Sequence, residues 1–338
     1  MTKRNAIMAA LGIVLLAIGA WATHRIAFDW LSLAAQLHSV AWLHVLLGSA
    51  CIYAGFWLRG VRWAVLLGPR QRVASSTLVA PQFVGFTAVA LFGRLADLTR
   101  PYLIARRTGL PVAAQIAVYS VERIFDLAAA AIIFSATLAL APRDLPHHEL
   151  FARAGILSSI ATLGLAAFAV TIRFAGDKLA RLATKLLTPV SPTFATAAAE
   201  RILDFRAGLD TLTSLREFLS ALALSLLIWL GIAESYVQSA HAMAATPQLA
   251  TLSFTQSMLL MATSMGGSLV QLPVLGWFTQ IALLATAIHA IFGAPIEAAT
   301  ACGAIILFIT TLSFVPVGLI AARLAGTSLR QATEQSTD

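Results

Sequence analysis

Arg94, Asp97 and Arg100 stand at every third position of Gly93-Arg94-Leu95-Ala96-Asp97-Leu98-Thr99-Arg100-Pro101, and Glu122, Arg123 and Asp126 follow a short way downstream. Residues three apart meet on a helix surface, so Asp97 can pair with either arginine. A guanidinium grips a carboxylate or a phosphate through two parallel hydrogen bonds. The positive charge left after one internal pair therefore suits a phosphate, and the apolar flanks make that a lipid phosphate. The plainer alternative is a basic anchor beside the membrane with one internal ion pair. Glu122 and Asp126 are four apart and share a helix face, while Arg123 points about 100° away and can reach another helix. Two roles stay open for that trio: clamping its helix to the arginines between 94 and 107, or touching a substrate. Ionised groups at membrane depth each cost about 2.5–3.5 kcal/mol on insertion scales, which makes such a concentration a functional hypothesis.

The second half of the chain is milder. Glu234 is its one clearly embedded acid and shares a face with Gln238, while Gln256, Gln271, Gln280 and His289 are scattered. Glu234 and Gln280 complete the set of candidate substrate-binding residues. Met258, Met261 and Met265 read as packing, and so do Cys51 and Cys302, which have no partner at metal spacing. Nucleotide-binding, zinc-hydrolase and serine-hydrolase signatures are missing, and His147-His148-Glu149 is a lone outer-loop cluster. The expectation is a protein that is not an enzyme and needs no cofactor or metal.

The elements that must hold these residues are membrane helices. Hydrophobic residues make up 59% of the chain and charged residues 11%, with a mean hydropathy of +0.84; soluble domains carry about 25% charged residues. The net charge of +8 is no nucleic-acid signal, because the basic residues fall in flanks between apolar runs. Runs long enough to span a bilayer lie at about 6–23, 40–58, 112–141, 153–172, 218–240 and 297–321. The first reads as a retained span rather than a cleaved signal. Two more apolar regions are broken: 73–92 by Pro81 and Gly85, and 251–292 by Gly266-Gly267, Pro273 and Gly276. The fold expected is thus an all-α polytopic membrane protein with about six full spans and two broken or re-entrant hairpins.

Lysine and arginine collect on cytoplasmic loops. With both termini inside, Arg59, Arg62, Arg70, Arg72 and the basic stretch 173–216 all fall inside, leaving Arg25, Arg143 and Arg153 outside. The same bias makes 73–107 a hairpin that enters from the cytoplasm, turns near Gly85 and returns, because a crossing would put Arg94, Arg100, Arg106 and Arg107 outside. Irregular backbone at that depth must be buried in protein or line a wet cavity. Gly109-Leu110-Pro111 and Gly293-Ala294-Pro295 open the same pattern, G-x-P-apolar-x-A-x-x-A, and each begins a long helix. The chain so reads as one domain, 1–338, with a first repeat at about 40–141, an amphipathic cytoplasmic connector at about 174–216 and a second, inverted repeat at about 218–321. Residues 28–38 read as a short interfacial helix.

These motifs resemble the flippase-like transmembrane domain of the lysylphosphatidylglycerol synthases and their stand-alone relatives. The family pattern, roughly P-G-R-x-G-E-x-x-R, G-x-S/P and E-R-x-x-D, corresponds to Phe92–Arg100, Gly109-Leu110-Pro111 and Glu122-Arg123-Ile124-Phe125-Asp126, and the Arg59-Gly60-Val61-Arg62-Trp63 flank is similar too. Phe92 replaces the proline and Ala96-Asp97 replaces Gly-Glu. The second motif, P-G-G-x-G-x-x-E, is degraded to Pro273–Gln280, with glutamine where the acid is expected. The resemblance implies lipid handling without the soluble aminoacyl-transferase domain: a lipid translocase of the bacterial inner membrane, or a non-transporting scaffold of a lipid or glycan biosynthetic system. The implied ligand is a phospholipid, aminoacyl-lipid, hopanoid or polyprenyl-linked head group, and the implied protein partner a second copy or a biosynthetic enzyme. In the translocase reading Arg94 and Arg100 hold the phosphate, and Asp97, Glu122 and Asp126 position them.

Overall fold

A computed structural model describes residues 28–68, 73–139, 148–189, 191–209, 214–267 and 275–324. Among these the chain is all helical. The helices are α1 (Trp30–His38), α2 (Trp42–Leu67), α3 (Ser75–Phe92), α4 (Thr99–Thr108), α5 (Val112–Ala139), α6 (His148–Leu187), α7 (Pro192–Leu209), α8 (Leu215–His241), α9 (Pro247–Ala250), α10 (Phe254–Gly267), α11 (Leu275–Phe292), α12 (Ile296–Leu307) and α13 (Val315–Leu324). A 3-10 turn, Arg94–Leu98, precedes α4, and a π-helical turn, Phe308–Leu312, joins α12 to α13. Among the described residues, four stretches have the length and apolarity to cross a membrane: Trp42–Leu67, Ser75–Phe92, Leu215–His241 and Ile296–Leu324. The protein is a polytopic membrane protein. The expected span 6–23 lies outside the described residues.

Local chemistry sets the ends of the helices. Gly68, Gly93, Gly109 and Gly293 have φ of 75°, 83°, 70° and 66°, a region that favours glycine, and each follows a helix. At the start of α8, Ser214 and Glu217 form a reciprocal capping box. Ala175 interrupts α6 with φ −129° and ψ 21°, where its apolar half gives way to the basic segment expected at the surface.

Helices α2 and α8 pack antiparallel as the central pair. Arg62 meets Ser225 near one end, and His44 meets Gln238 near the other. We call the first end basic, since it gathers the end of α2, the starts of α3 and α5, and Arg106 and Arg107. Helix α3 runs from that end inward along α2, placing Phe83 against Phe56 with ring centroids 4.3 Å apart. After Gly93 the 3-10 turn and α4 return along α3, so that Arg100 lies opposite Gly85. The chain therefore does make a hairpin here, but it reverses at Gly93 and not near Gly85, which is mid-helix.

A second hairpin enters from the opposite end. Its first arm, α10, begins beside His241, whose ring bonds the Leu252 carbonyl at 2.9 Å. Its return arm, α11, ends at Gly293 near Glu297, which accepts from the Asp29 amide at 3.1 Å. Gln280 of α11 donates to Ser264 of α10 at 2.7 Å and ties the arms together. The two Gly-x-Pro turns thus sit at opposite ends of the bundle. The largest buried apolar cluster, including Ile52, Phe56, Met258, Leu284, Ile306 and Phe314, fills the space around α2, α8 and the second hairpin. A second cluster of Trp63, Leu66, Leu78, Ile104 and Phe125 closes the basic end.

Candidate functional site

The charged residues of the two sequence motifs meet in one buried cluster. Glu122 and Asp126 project from α5, Asp97 and Arg100 from the returning arm, and Arg59 and Arg62 from α2. By 1.5 Å rise per residue, Glu122 is about 15 Å into its helix and Arg59 about 12 Å from the end of α2. Glu122 Oε1 accepts from Arg62 at 2.7 Å, Arg100 at 3.1 Å, Arg123 at 3.2 Å and Arg59 at 3.4 Å. Asp126 accepts from Arg62 at 2.6 Å, Arg123 at 3.1 Å, Trp229 of α8 at 3.2 Å and Arg59 at 3.4 Å. Asp97 accepts from Arg100 at 3.0 Å and from the Tyr119 hydroxyl at 2.6 Å. Arg100 also donates to Gln82 of α3 at 3.1 Å. It is wholly buried, lying over the Phe86 ring with its guanidinium carbon 4.5 Å from the centroid.

The return arm can bring Arg100 this deep because position 85 is glycine. A Cβ there would come within 1.9 Å of Arg100 Cγ. The cluster thus depends on the hairpin geometry as well as on opposite charge.

Among the described residues the cluster holds four guanidinium groups, of Arg59, Arg62, Arg100 and Arg123, and three carboxylates, of Asp97, Glu122 and Asp126. One positive charge is in excess. Several buried donors within it, Arg62 Nε, Gln82 Nε2 and Arg123 Nε, meet no acceptor. Net charge and unmet donors together suit an anionic oxygen ligand.

Arg59 is the member held most loosely, with both ion-pair contacts at 3.4 Å, and it alone also lines a cavity of about 280 Å³. The cavity lies between α2, α3, α8 and the π-helical turn. Its walls are mainly apolar, with Phe56, Phe86 and Phe314 among them, and its polar groups besides Arg59 are Tyr236, Thr310 and Thr311. Gly55 leaves its wall open, since an added Cβ would meet nothing within 4 Å. The π turn takes part directly, through Thr310 and Thr311 in the cavity wall. Such turns concentrate at functional sites because they re-aim side chains and free backbone groups.

The structure therefore brings together Asp97, Arg100, Glu122, Arg123 and Asp126. Arg94 is exposed at the first position of the 3-10 turn. Glu234 sits apart, accepting from Gln238 at 2.6 Å toward the other end, and Gln280 binds Ser264 within the second hairpin. Sequence reasoning left out Arg59 and Arg62, which it treated as a basic flank of α2; Arg62 is fully buried. Their spacing of three, ahead of the buried Trp63, was the available signal. Gln82, Tyr119, Ser225 and Trp229 had no comparable signal, since each contributes only through its neighbours across helices.

No functionally curated protein matches the chain. The family profile described as "Lysylphosphatidylglycerol synthase TM region" matches residues 7–321 of the 338. Its match takes in every helix around the buried charges except the last residues of α13, and the chain belongs to the family of lysylphosphatidylglycerol synthase transmembrane regions.

Proposed function

We propose that this protein binds the anionic head group of a membrane lipid at the Arg59 edge of its central cavity and moves it between leaflets. The observation that carries the proposal is the placement of Arg59. A cation whose ion pairs are both long, at 3.4 Å, forms one edge of a mainly apolar cavity, beside a cluster with excess positive charge. A head-group phosphate would complete the hydrogen bonding of Arg59 while apolar walls accept the rest of the lipid.

Arg100 is already committed to Asp97, Gln82 and Glu122, so its part in this mechanism is to hold the carboxylates in place. The architecture supports movement across the membrane. The basic end would face the cytoplasm, by the same charge bias that assigned the loops. Two hairpins entering from opposite ends, each followed by a Gly-x-Pro turn with left-handed glycine, fit an inverted repeat, and substrate sites in such folds lie where the halves meet. The repeat is electrically uneven: counted from the shared glycine, Ile306 and Thr310 take the places of Glu122 and Asp126. Capture would thus be electrostatic from the basic side and weaker from the other. A bacterial inner membrane is the fitting location, with a second copy or a lipid-modifying enzyme as the protein partner.

The test is reconstitution in liposomes with head-group-labelled lipids of several classes. Accelerated exchange between leaflets that Arg59→Gln abolishes is the expected result. A chain that accelerates no lipid class would instead act as a scaffold for an enzyme, and the translocase reading would fall.

A further inference from the structure

A second groove opens at the basic end, away from the Arg59 cavity. Helix α13 closes on α3 at Gly318, where a Cβ would lie 1.9 Å from Thr87 Oγ1 and 2.7 Å from the Phe83 carbonyl oxygen. Past that contact, Ala321 and Leu324 of α13 and Ala80, Pro81 and Val84 of α3 line a common gap. Between them lies a space of about 430 Å³, walled by Ala80, Pro81, Val84, Leu103, Ala321 and Leu324, with Arg106 and Arg107 at its mouth. Every wall side chain is apolar, and Pro81 contributes no amide donor. Both arginines are exposed, and among the described residues neither meets a carboxylate at ion-pair distance. They sit in the last turn of α4, whose carbonyl end carries about half a negative charge. Two guanidinium groups exceed it.

We infer that this groove is a binding site for an anionic glycerophospholipid of the leaflet at the basic end, with its phosphate on Arg106 and Arg107 and one acyl chain between α3 and α13. The charge and the apolar wedge select the occupant. A zwitterionic lipid would fill the wedge equally well but gain less from two cations, and a free phosphate would leave the wedge uncovered. Each arginine near an anionic surface favours binding by about fivefold. The site stands apart from the Arg59 cavity, so a failure of lipid movement would leave it standing.

Leu324→Trp supplies a reporter in the groove wall. The full chain carrying it is placed in phosphatidylcholine vesicles in which either phosphatidylglycerol or a matching share of phosphatidylcholine is brominated on its acyl chains. Quenching of the added tryptophan is read after subtracting the parent chain. Brominated phosphatidylglycerol should quench at roughly one-fifth or less of the mole fraction that brominated phosphatidylcholine requires. Arg106→Gln with Arg107→Gln should bring the two lipids to parity, while Arg106→Lys with Arg107→Lys keeps most of the preference. Ala321→Phe, which fills the wedge, should lower quenching by both. Equal quenching in the parent reporter, or a preference that survives the double glutamine change, overturns the site. So does a reporter that neither lipid quenches, because another part of the chain then covers the groove.

Discussion

Glu122 has four arginines around one carboxylate, three of them between 2.7 and 3.2 Å. Removing its charge would leave the guanidinium groups of Arg62 and Arg100, both fully buried, with too few counter-charges. Breaking a buried pair from one side typically costs about 3–5 kcal/mol, because the partner stays buried and uncompensated. Glu122→Gln should therefore lower the thermal unfolding midpoint of the purified protein markedly. Arg153→Ala, which breaks an ion pair whose side chains are 77% and 85% exposed, should cost at most about 1 kcal/mol. Equal shifts for the two variants would show that the cluster does not hold the fold. Arg59→Gln belongs between them, since both of its ion pairs, at 3.4 Å, are longer than those of Arg62 and Arg100. The carboxylates and arginines of the two motifs were readable as partners because their types and spacing allow pairing. Arg59 and Arg62 were not, since a basic residue at the end of an apolar run looks the same whether it meets water or a buried acid.

Helices α3 and α4 are a hairpin in which one side chain crosses from the return arm onto the arm that entered. Gly85 makes that crossing possible, and Gly55 opens the cavity wall. These two glycines should respond oppositely. In Gly85→Ala the new methyl overlaps Arg100, so the arm must shift; overpacking of this kind costs about 1–3 kcal/mol and should disperse the charge cluster. Gly55→Ala meets nothing within 4 Å and should leave the unfolding midpoint unchanged or raised by up to ~1 kcal/mol of helix propensity. Gly55→Phe should fold but fill the cavity, stopping lipid exchange in the liposome assay while leaving the cluster intact. An active Gly55→Phe protein would place the lipid path elsewhere. Pro81 and Gly85 read as a break in the sequence, yet the helix runs unbroken through both and the chain reverses at Gly93. Pro81 is accommodated within α3, and Gly93 at φ 83° is the residue whose backbone permits the reversal.

On the scale of the whole molecule, sidedness is the property most open to test. With Cys51 and Cys302 replaced by alanine, a cysteine at the exposed Ser39 should react with a membrane-impermeant reagent from outside. One at the exposed Thr188, beyond the kinked end of α6, should react only after permeabilisation. Labelling of both from one side would break the proposed topology, and the opposite pattern would reverse it. The membrane class, the helical content and the basic bias of one end follow from the sequence alone, because the cost of burying backbone and charge in lipid leaves few alternatives. The left-handed turns at Gly109-Leu110-Pro111 and Gly293-Ala294-Pro295 were legible as well, since turn chemistry is local. Tertiary structure decided which charges share a site. Residues 59, 62, 97, 100, 122 and 126 come from three segments, and only the packing of α5 against α2 and the depth of the first hairpin set them within ion-pair distance. It also decided that Arg59, and not the motif arginine Arg100, borders the cavity. Pairing geometry between helices is a non-local property, so a pattern along one chain specifies that charges need partners without naming them.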